Sequence, residues 1–579
     1  MSRESRLQVA IILGFCIVVY FVNLGQWDLW NPDEPRYGQV AREIVRGGDW
    51  ILMHNNGKMY TDKPPLFFWL IVFSSYLWEG FSSFAVRFPS ALFGTLTVLL
   101  TYLLGRNFFA SRSGFLSALI LATSVEFAYL ATRANIDATL TFFTTASLFC
   151  FVQWLLSYSS PLATATPSPS APTIPPLNLR GGEEGLKGDE AELRAGQEGS
   201  RNSYIYGFYV SMAFATVTKG PVGFILPLLV ALIYLAIQRD WKRMKEMKLP
   251  TGTLLFLFLV LSWYIPAVMK GGKIYLNETL FKHSLNRYAE GWSHLHPFYY
   301  YFYNFPVQFL PWILFLPGAF AYGFSHGFSE RGLAWKKAFL FVFVWFAVIF
   351  LFFSFSKGKR ELYILPLYPA VSLMVGRFLD EFLSKPGGSL SERWVTVPLY
   401  GLMAILLLAG GAMPPVVAKK LPAYLSYSFP MAFLLFGGSL AMFFLARSRN
   451  YLAVLLVLVG IVGGGFFYTL RVVFPLVNPY KSGRYISEEI TSRIQPGERL
   501  CLFGGFGTGP YNFYTGIVPI QEMEQQEELF KFLQSGERVF CILKLGDFKM
   551  LEPMAEKPSM RLISQRRVGS DQIVLISNR

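Results

Sequence analysis

Charge is scarce in this chain of 579 residues: Asp, Glu, Lys and Arg make up 15% of it, against roughly 25% in soluble globular domains. With 53% hydrophobic residues, that shortage excludes an ordinary soluble fold and leaves a polytopic α-helical membrane protein. Cysteine is scarce as well. The four present show no Cys-x-x-Cys spacing, and Cys16 and Cys150 lie in apolar runs, so they give little metal signal. No glycine-rich nucleotide loop is evident, nor an internal repeat of the kind that relates the halves of many transporters. The N-terminus places Arg3 and Arg6 before an apolar run from Leu7 to Leu24 without a small-residue cleavage site, and it reads as a retained first span. The formal charge of +15 falls mostly in short loops between apolar segments. That pattern reports membrane orientation rather than nucleic-acid binding.

A helix crossing a hydrocarbon core of about 30 Å needs about 20 apolar residues. This ruler predicts about thirteen spans, centred on Val18, Leu96, Leu121, Phe149, Phe214, Leu229, Leu259, Phe309, Val344, Ser372, Leu406, Leu435 and Leu458. Basic residues accumulate on the cytoplasmic side. Alternate loops carry Arg106 and Arg112, then Arg239 to Lys248, Arg331 to Lys337, Lys385 with Arg393, and Arg447 with Arg449, all on the side of the N-terminus. An odd number of spans then puts the C-terminal region outside. Counting Leu66 to Trp78 as a further span would invert this pattern, so it reads as an interfacial or re-entrant helix. Residues 35–46 read as a second outer-face interfacial helix, with Tyr37, Val40, Ala41, Ile44 and Val45 on one side, Arg36, Arg42 and Arg46 opposite, and Gly47 and Gly48 ending it.

Two segments break the membrane pattern. The stretch 159–202, rich in Pro, Ser, Ala and Thr and then in Gly and Glu, is expected to be a disordered cytoplasmic loop inside a transmembrane domain of residues 1–475. Residues 476–579 are expected to form a small α/β domain, with strands at Leu500 to Phe503, Val539 to Leu543 and Ile573 to Ile576 and a helix at Glu524 to Gln534. Cys501 and Cys541 sit in two of those strands, and pairing and reduced core thiols both stay open.

The polar residues sort onto one face. Asp33, Glu34, Arg36, Asp62 and Lys63 lie in the first outer loop, Arg133 and Asp137 at the next outer turn, and Lys219 at the one after. His283, Arg287 and His294 lie in the long fourth outer loop, and Lys357, Lys359 and Arg360 in the fifth. Cations gathered where topology disfavours them point to an anionic ligand, with phosphate the natural candidate. Acids among them would serve as base, electrostatic group or metal ligand. Bland readings stand beside these. Asp33 and Glu34 would also suit the first turn of a helix, Arg133 and Asp137 an i, i+4 pair, Lys219 a snorkelling position, His283 and His294 structural or interfacial roles, and Tyr299, Tyr300, Tyr301 and Tyr303 an aromatic belt.

Asp33-Glu34-x-Arg36-Tyr37, Gly48-Asp49-Trp50 and Asp62-Lys63-Pro64-Pro65-Leu66 with Trp69 closely resemble the first periplasmic loop of bacterial lipid A aminoarabinose transferases. These are membrane glycosyltransferases of GT-C type that use polyprenyl-phosphate sugars and are related to protein O-mannosyltransferases. Arg87-x-Pro89-Ser90-Ala91, Arg133 with Asp137, Thr218-Lys219-Gly220-Pro221, His294-x-x-Pro297-Phe298 and Ser356-x-x-Lys359 extend the resemblance over most of residues 7 to 380. It implies that Asp33 is the principal catalytic acid and Asp137 a second, with Glu34 in the catalytic group. It also implies that Arg36, Lys63 and Lys219 hold the lipid phosphate, joined by Arg287 and Lys359. A divalent metal, if used, would be held by Asp62 and His283, although the family usually has Glu where Asp62 stands. The insert and the C-terminal domain match no family motif. The expected partners are an undecaprenyl-phosphate sugar donor, lipid A or another glycan or protein acceptor, and membrane lipids, at the outer face of a bacterial inner membrane. The alternatives are a protein O-mannosyltransferase-like enzyme and a flippase for lipid-linked sugars, which would place its charges near the bilayer midplane rather than at span ends.

Overall fold

A computed structural model of the chain describes residues 2–158, 182–279, 294–327, 333–384, 392–554 and 560–579. Among the described residues nine helices are long and apolar enough to cross a membrane, and two bent helix pairs raise the number to eleven. The pairs are Ser111–Ala122 with Val125–Ala131, bent by 70°, and Tyr300–Gln308 with Trp312–Ser325, bent by 111°. They account for the centres at Leu121 and Phe309. Phe214 and Leu229 fall in Gly182–Lys219 and Val222–Ile237, so every expected span centre lies in a helix or at a bend. The bends are local in cause. Thr123 and Ser124 turn their hydroxyls back onto Leu119 and Leu121 carbonyls, and Pro311 interrupts the second pair.

Part of the insert differs from expectation. Residues 182–202 begin the helix Gly182–Lys219 instead of forming a disordered loop, because its Glu, Ala, Leu, Lys and Arg content favours helix once the Pro-rich stretch is past. Residues 159–181 lie outside the described residues. The last membrane helix runs on to Lys481, so the sheet domain begins after that residue rather than at 476.

Between the first two spans the chain builds a collar. The helix Asp33–Gly47 ends where Gly48, at φ 69°, donates its N–H to the Ile44 carbonyl. It buries Tyr37, Val40, Ala41 and Ile44 against Phe67, Phe68, Ile71 and Val72 of the helix Leu66–Leu77. That second helix, about 18 Å long by helical rise, is too short to span. Phe73, Tyr76 and Leu77 on its other side are exposed, which suits an interfacial position. A two-residue hairpin, β1 (His54–Asn55) and β2 (Lys58–Met59), joins the two helices.

The C-terminal domain is a five-stranded sheet in the order β4-β3-β5-β7-β6, made of β3 (Arg499–Phe503), β4 (Gln521–Met523), β5 (Val539–Lys544), β6 (Arg561–Val568) and β7 (Asp571–Ser577). β3 pairs in parallel with β4 and β5, and β7 runs antiparallel between β5 and β6. The three expected strands are β3, β5 and β7, and the expected helix is Gln526–Leu533. The sequence reading misses β4 because it is three residues long, and β6 because it is an edge strand whose Arg and Gln residues face water. Cys501 and Cys541 are register partners on β3 and β5, fully buried, with free thiols.

Candidate active site

Asp33 opens the first-loop helix. Its Oδ1 accepts from Arg36 Nη2 at 2.5 Å, one helical turn on, and its Oδ2 accepts from Arg360 Nη2 at 3.1 Å, from the far end of the membrane domain. Burial alone would push this carboxyl up, but Arg36, Arg360 and Lys63 together hold it below the ordinary aspartate range. Asp33, Arg36 and Arg360 keep 19%, 29% and 26% of their side-chain surface, so the cluster is open on one side. The Arg36 Nε is buried without a hydrogen-bond partner among the described residues. A donor in that condition suits a ligand with acceptor oxygens.

Asp137 lies in the first turn of Ile136–Leu156, whose N-cap Asn135 accepts from the Ala138 N–H. It forms an ion pair with Lys219. Lys219 is set at the tight helical turn where Gly223 packs on the Ala215 backbone, leaving no room for a Cβ, and its ammonium lies 4.3 Å from the Tyr363 ring centre. Tyr363 is also within electrostatic reach of Arg360, and buried Tyr37 of both Asp33 and Asp137. Tyr363 follows Arg360 by three residues, so the Lys219 contact with its ring brings the Asp137–Lys219 pair to the segment that carries Arg360 to Asp33. Lys63 joins Asp33 through its effect on that carboxyl, and its ammonium also donates to the Asp62 carbonyl at 3.0 Å.

Glu34 belongs to a different arrangement, which corrects its catalytic assignment. It is 1% exposed. Its Oε1 accepts from Arg87 Nε at 2.7 Å and the Ala134 N–H at 3.0 Å. Its Oε2 accepts from Arg87 Nη2 at 3.0 Å, Arg133 Nη2 at 3.1 Å and the Trp30 N–H at 3.0 Å. Every lone-pair direction is used, so this carboxylate orders the loop and has none left for substrate. Burial opposes its charge, but Arg133 and Arg87 win and draw its pKa down to about 2. Arg87 completes the knot by donating to the carbonyls of Leu24, Trp27 and Asp28. The i, i+4 reading of Arg133 with Asp137 gives way as well, since Arg133 serves Glu34 and Asp137 holds Lys219.

Lys359 is likewise displaced from the phosphate-binding set. It is 2% exposed, and its ammonium donates to the carbonyls of His296 and Ser356. Burial pulls its pKa down. It ties its loop to the strand-like pairing of Leu295 with Gly358, while the next residue, Arg360, reaches Asp33. The tyrosines divide too. Tyr299 and Tyr303 are about half exposed, as a belt requires, whereas Tyr301 is buried and donates to the Arg360 carbonyl at 3.0 Å. His283 and Arg287 lie outside the described residues. No three His, Cys, Asp or Glu side chains gather among the described residues in a way that could hold a metal, so a metal at Asp62 would draw its other ligands from elsewhere.

Sequence reasoning placed Arg360 in the right loop without assigning it, and missed Arg87 as the partner of Glu34. A fully buried arginine inside the apolar helix Ser83–Phe108 is the signal that could have found the second, since such a charge is retained only with a partner.

Nine to eleven apolar spans among the described residues, two of them from bent helix pairs, with a C-terminal sheet domain, define a polytopic α-helical membrane protein of GT-C fold. Over 99% of this chain and 98% of the other, the fold matches the crystal structure of ArnT from Cupriavidus metallidurans bound to undecaprenyl phosphate, with a TM-score of 0.75 and 22% identity. In sequence the chain resembles lipid A aminoarabinose transferases over about 70% of its length and protein O-mannosyltransferases over a shorter stretch. The family described as dolichyl-phosphate-mannose-protein mannosyltransferase matches residues 62–163. An undecaprenyl phosphate-alpha-4-amino-4-deoxy-L-arabinose arabinosyl transferase of Enterobacter sp. is 25% identical over 73% of this chain and 68% of its own length. One from Edwardsiella ictaluri is 28% identical over 68% of this chain and 63% of its own. An uncharacterised protein of Aquifex aeolicus is 28% identical over 89% of this chain and 88% of that protein.

Proposed function

We propose that the chain transfers a sugar, of the 4-amino-4-deoxy-L-arabinose kind, from undecaprenyl phosphate to lipid A at the outer face of the bacterial inner membrane. The observation that carries this reading is the convergence of Arg36 and Arg360 on Asp33, with Lys63 and the Asp137–Lys219 pair beside them. The acceptor oxygen attacks the anomeric carbon, the bond from that carbon to the phosphate oxygen breaks, and undecaprenyl phosphate leaves. Arg36, Arg360, Lys63 and Lys219 stabilise the negative charge that grows on the departing phosphate, which is worth most in a partly desolvated site.

The ion pairs of Asp33 with Arg36 and Arg360, which hold its carboxyl below the ordinary aspartate range, support an electrostatic role over a basic one. A carboxylate stabilised by three cations is a weak base, poorly matched to removing a proton from an alcohol near neutrality. It is well matched to stabilising positive charge developing on the sugar. An acceptor that is already anionic, such as a lipid A phosphate, needs no base, whereas a protein hydroxyl does. Asp33 therefore favours the phosphate acceptor over the protein O-mannosyltransferase-like alternative. Asp62, on the same loop, would be the chain's contribution to a divalent cation if one assists the phosphate.

The donor half of this reading has its own test. Undecaprenyl phosphate is titrated against the purified full chain, and Arg360→Gln with Lys219→Gln is expected to weaken retention by about tenfold or more, the scale of losing charge-assisted bonds to phosphate. Unchanged affinity in the double variant would remove these side chains from the phosphate site.

A further inference from the structure

We propose that the C-terminal domain is a working part of the donor site: its short helix Gly509–Thr515 splints the Asp33–Gly47 helix and so fixes Arg36 against Asp33. This rests on the sugar-transfer reading for its catalytic consequence, but the splint itself is a matter of packing. The two helices lie against each other along most of the first-loop helix. Near its start, Gly509 is so close that a Cβ there would stand 2.9 Å from Arg36 Cβ and 3.0 Å from Arg36 Cα. In the middle, the Phe513 ring fills the notch left by Gly38, where a Cβ would stand 2.7 Å from the ring. Further on, the Arg42 guanidinium lies 4.3 Å from the Phe513 ring centre and donates to the Phe513 carbonyl at 2.7 Å.

A buried amide locks this contact. Asn56, in the left-handed region at φ 58°, sits at the hairpin turn after the first-loop helix. Its Oδ1 accepts from Asn512 Nδ2 at 3.0 Å and from the Ile520 N–H at 2.7 Å, and its Nδ2 donates to the Ile520 carbonyl at 2.8 Å. Its own N–H and that of Gly57 donate to Glu43 of the first-loop helix at 2.8 and 3.0 Å. The loop upstream is clamped from the same domain. The Tyr514 hydroxyl accepts from the Leu29 N–H at 2.7 Å and donates to the Leu29 carbonyl at 3.1 Å. A domain whose side chains brace the helix on both sides of Asp33, while none of these contacts reaches the Asp33 carboxylate, acts by positioning. Gly509 and Asn56 are positioning residues.

Gly509→Ala in the full-length protein is the direct test. Alanine favours helix over glycine, and Gly509 has no left-handed backbone to lose, so the added methyl leaves the C-terminal helix sound and pushes only on Arg36. Expected is a fall in kcat per folded molecule of roughly tenfold to a hundredfold, the cost of misplacing a catalytic group by about 1 Å. That fall should exceed any rise in donor KM and come with faster hydrogen exchange in residues 33–47. Asn56→Gly, which keeps φ 58° accessible while deleting the amide lock, is the second variant and should act the same way. Lys58→Gln breaks only an exposed ion pair with Glu522 across the same interface and should change neither quantity. Wild-type kcat and exchange in both Gly509→Ala and Asn56→Gly would overturn the proposal. Faster exchange in a chain that transfers no sugar at all would uphold the splint and sink the functional reading instead.

Discussion

Asp33→Asn is expected to cut sugar transfer by at least about 10²-fold, the scale on which a removed electrostatic or acid–base group acts, with the folded protein intact. Asparagine keeps the shape and a carbonyl oxygen able to accept from Arg36 or Arg360. It removes the charge that would face the developing positive sugar. Because the side chain is 19% exposed, water can solvate the two arginines that lose their counter-ion, and the stability cost stays small. Donor affinity is expected to hold or tighten, since a negative charge beside a bound phosphate has gone. The measurement is turnover alongside donor KM in one preparation, and turnover falling with a steady or lower KM is the signature. A donor KM that rises in step with lost turnover would mean that Asp33 shapes the ground-state phosphate site and has no special role in the transition state.

Glu34→Ala is expected to do the opposite: it should damage the fold before the chemistry. The substitution strands Arg87, fully buried, and Arg133, 17% exposed beside it, without their shared carboxylate. Breaking a buried pair from one side costs about 3–5 kcal/mol, a large share of a marginal stability. Loss of folded protein from detergent extracts and a lowered unfolding temperature should report it. Glu34→Gln should be milder, keeping one acceptor oxygen. The same carboxylate gives a pH signature. Its pKa is depressed in the folded chain from 4.5 to about 2, so its contribution is fully present above 4.5 and is lost as the pH falls towards about 2. The wild-type chain should therefore keep this increment under mild acid, and Glu34→Gln should show a flatter loss of stability below pH 4.5. Equal acid profiles for the two would mean that the Arg87 knot contributes nothing to folding.

Asp33 and Glu34 show what a sequence can and cannot disclose here. Both were legible as acids at the start of an outer-face helix, because the amphipathic spacing and the Gly47-Gly48 stop mark that helix clearly. Their division of labour was not. Successive residues on a helix point about 100° apart, so one acid looks along its own turn to Arg36 and the other turns inward to Arg87, and nothing local says which. Lys359 and Arg360 repeat the problem in extended backbone, where neighbours point to opposite sides. Arg360 has φ −131° and ψ 151°, which sends its side chain to Asp33 and leaves Lys359 among backbone carbonyls.

Span positions were readable because length and hydropathy suffice for them. The spacing puts Arg36, Arg42 and Arg46 opposite the apolar side of the first-loop helix and says nothing of what meets them. Arg36 and Arg42 pack against Gly509 and Phe513, more than 460 positions away in sequence, while Arg46 stays exposed, and no periodicity can report such a partner. The Glu-rich part of the insert is a simpler case. Its composition cannot make a core, but a helix extended from a membrane span needs none.

The most direct test of the account is transfer by the purified full-length chain in lipid bilayers, supplied with undecaprenyl-phosphate-linked 4-amino-4-deoxy-L-arabinose and lipid A and read by mass spectrometry. Expected are lipid A heavier by the amino sugar, free undecaprenyl phosphate released in equal amount, and at least about 10²-fold less of both from Asp33→Asn. Unmodified lipid A with the donor intact, or equal product from wild type and Asp33→Asn, would contradict it.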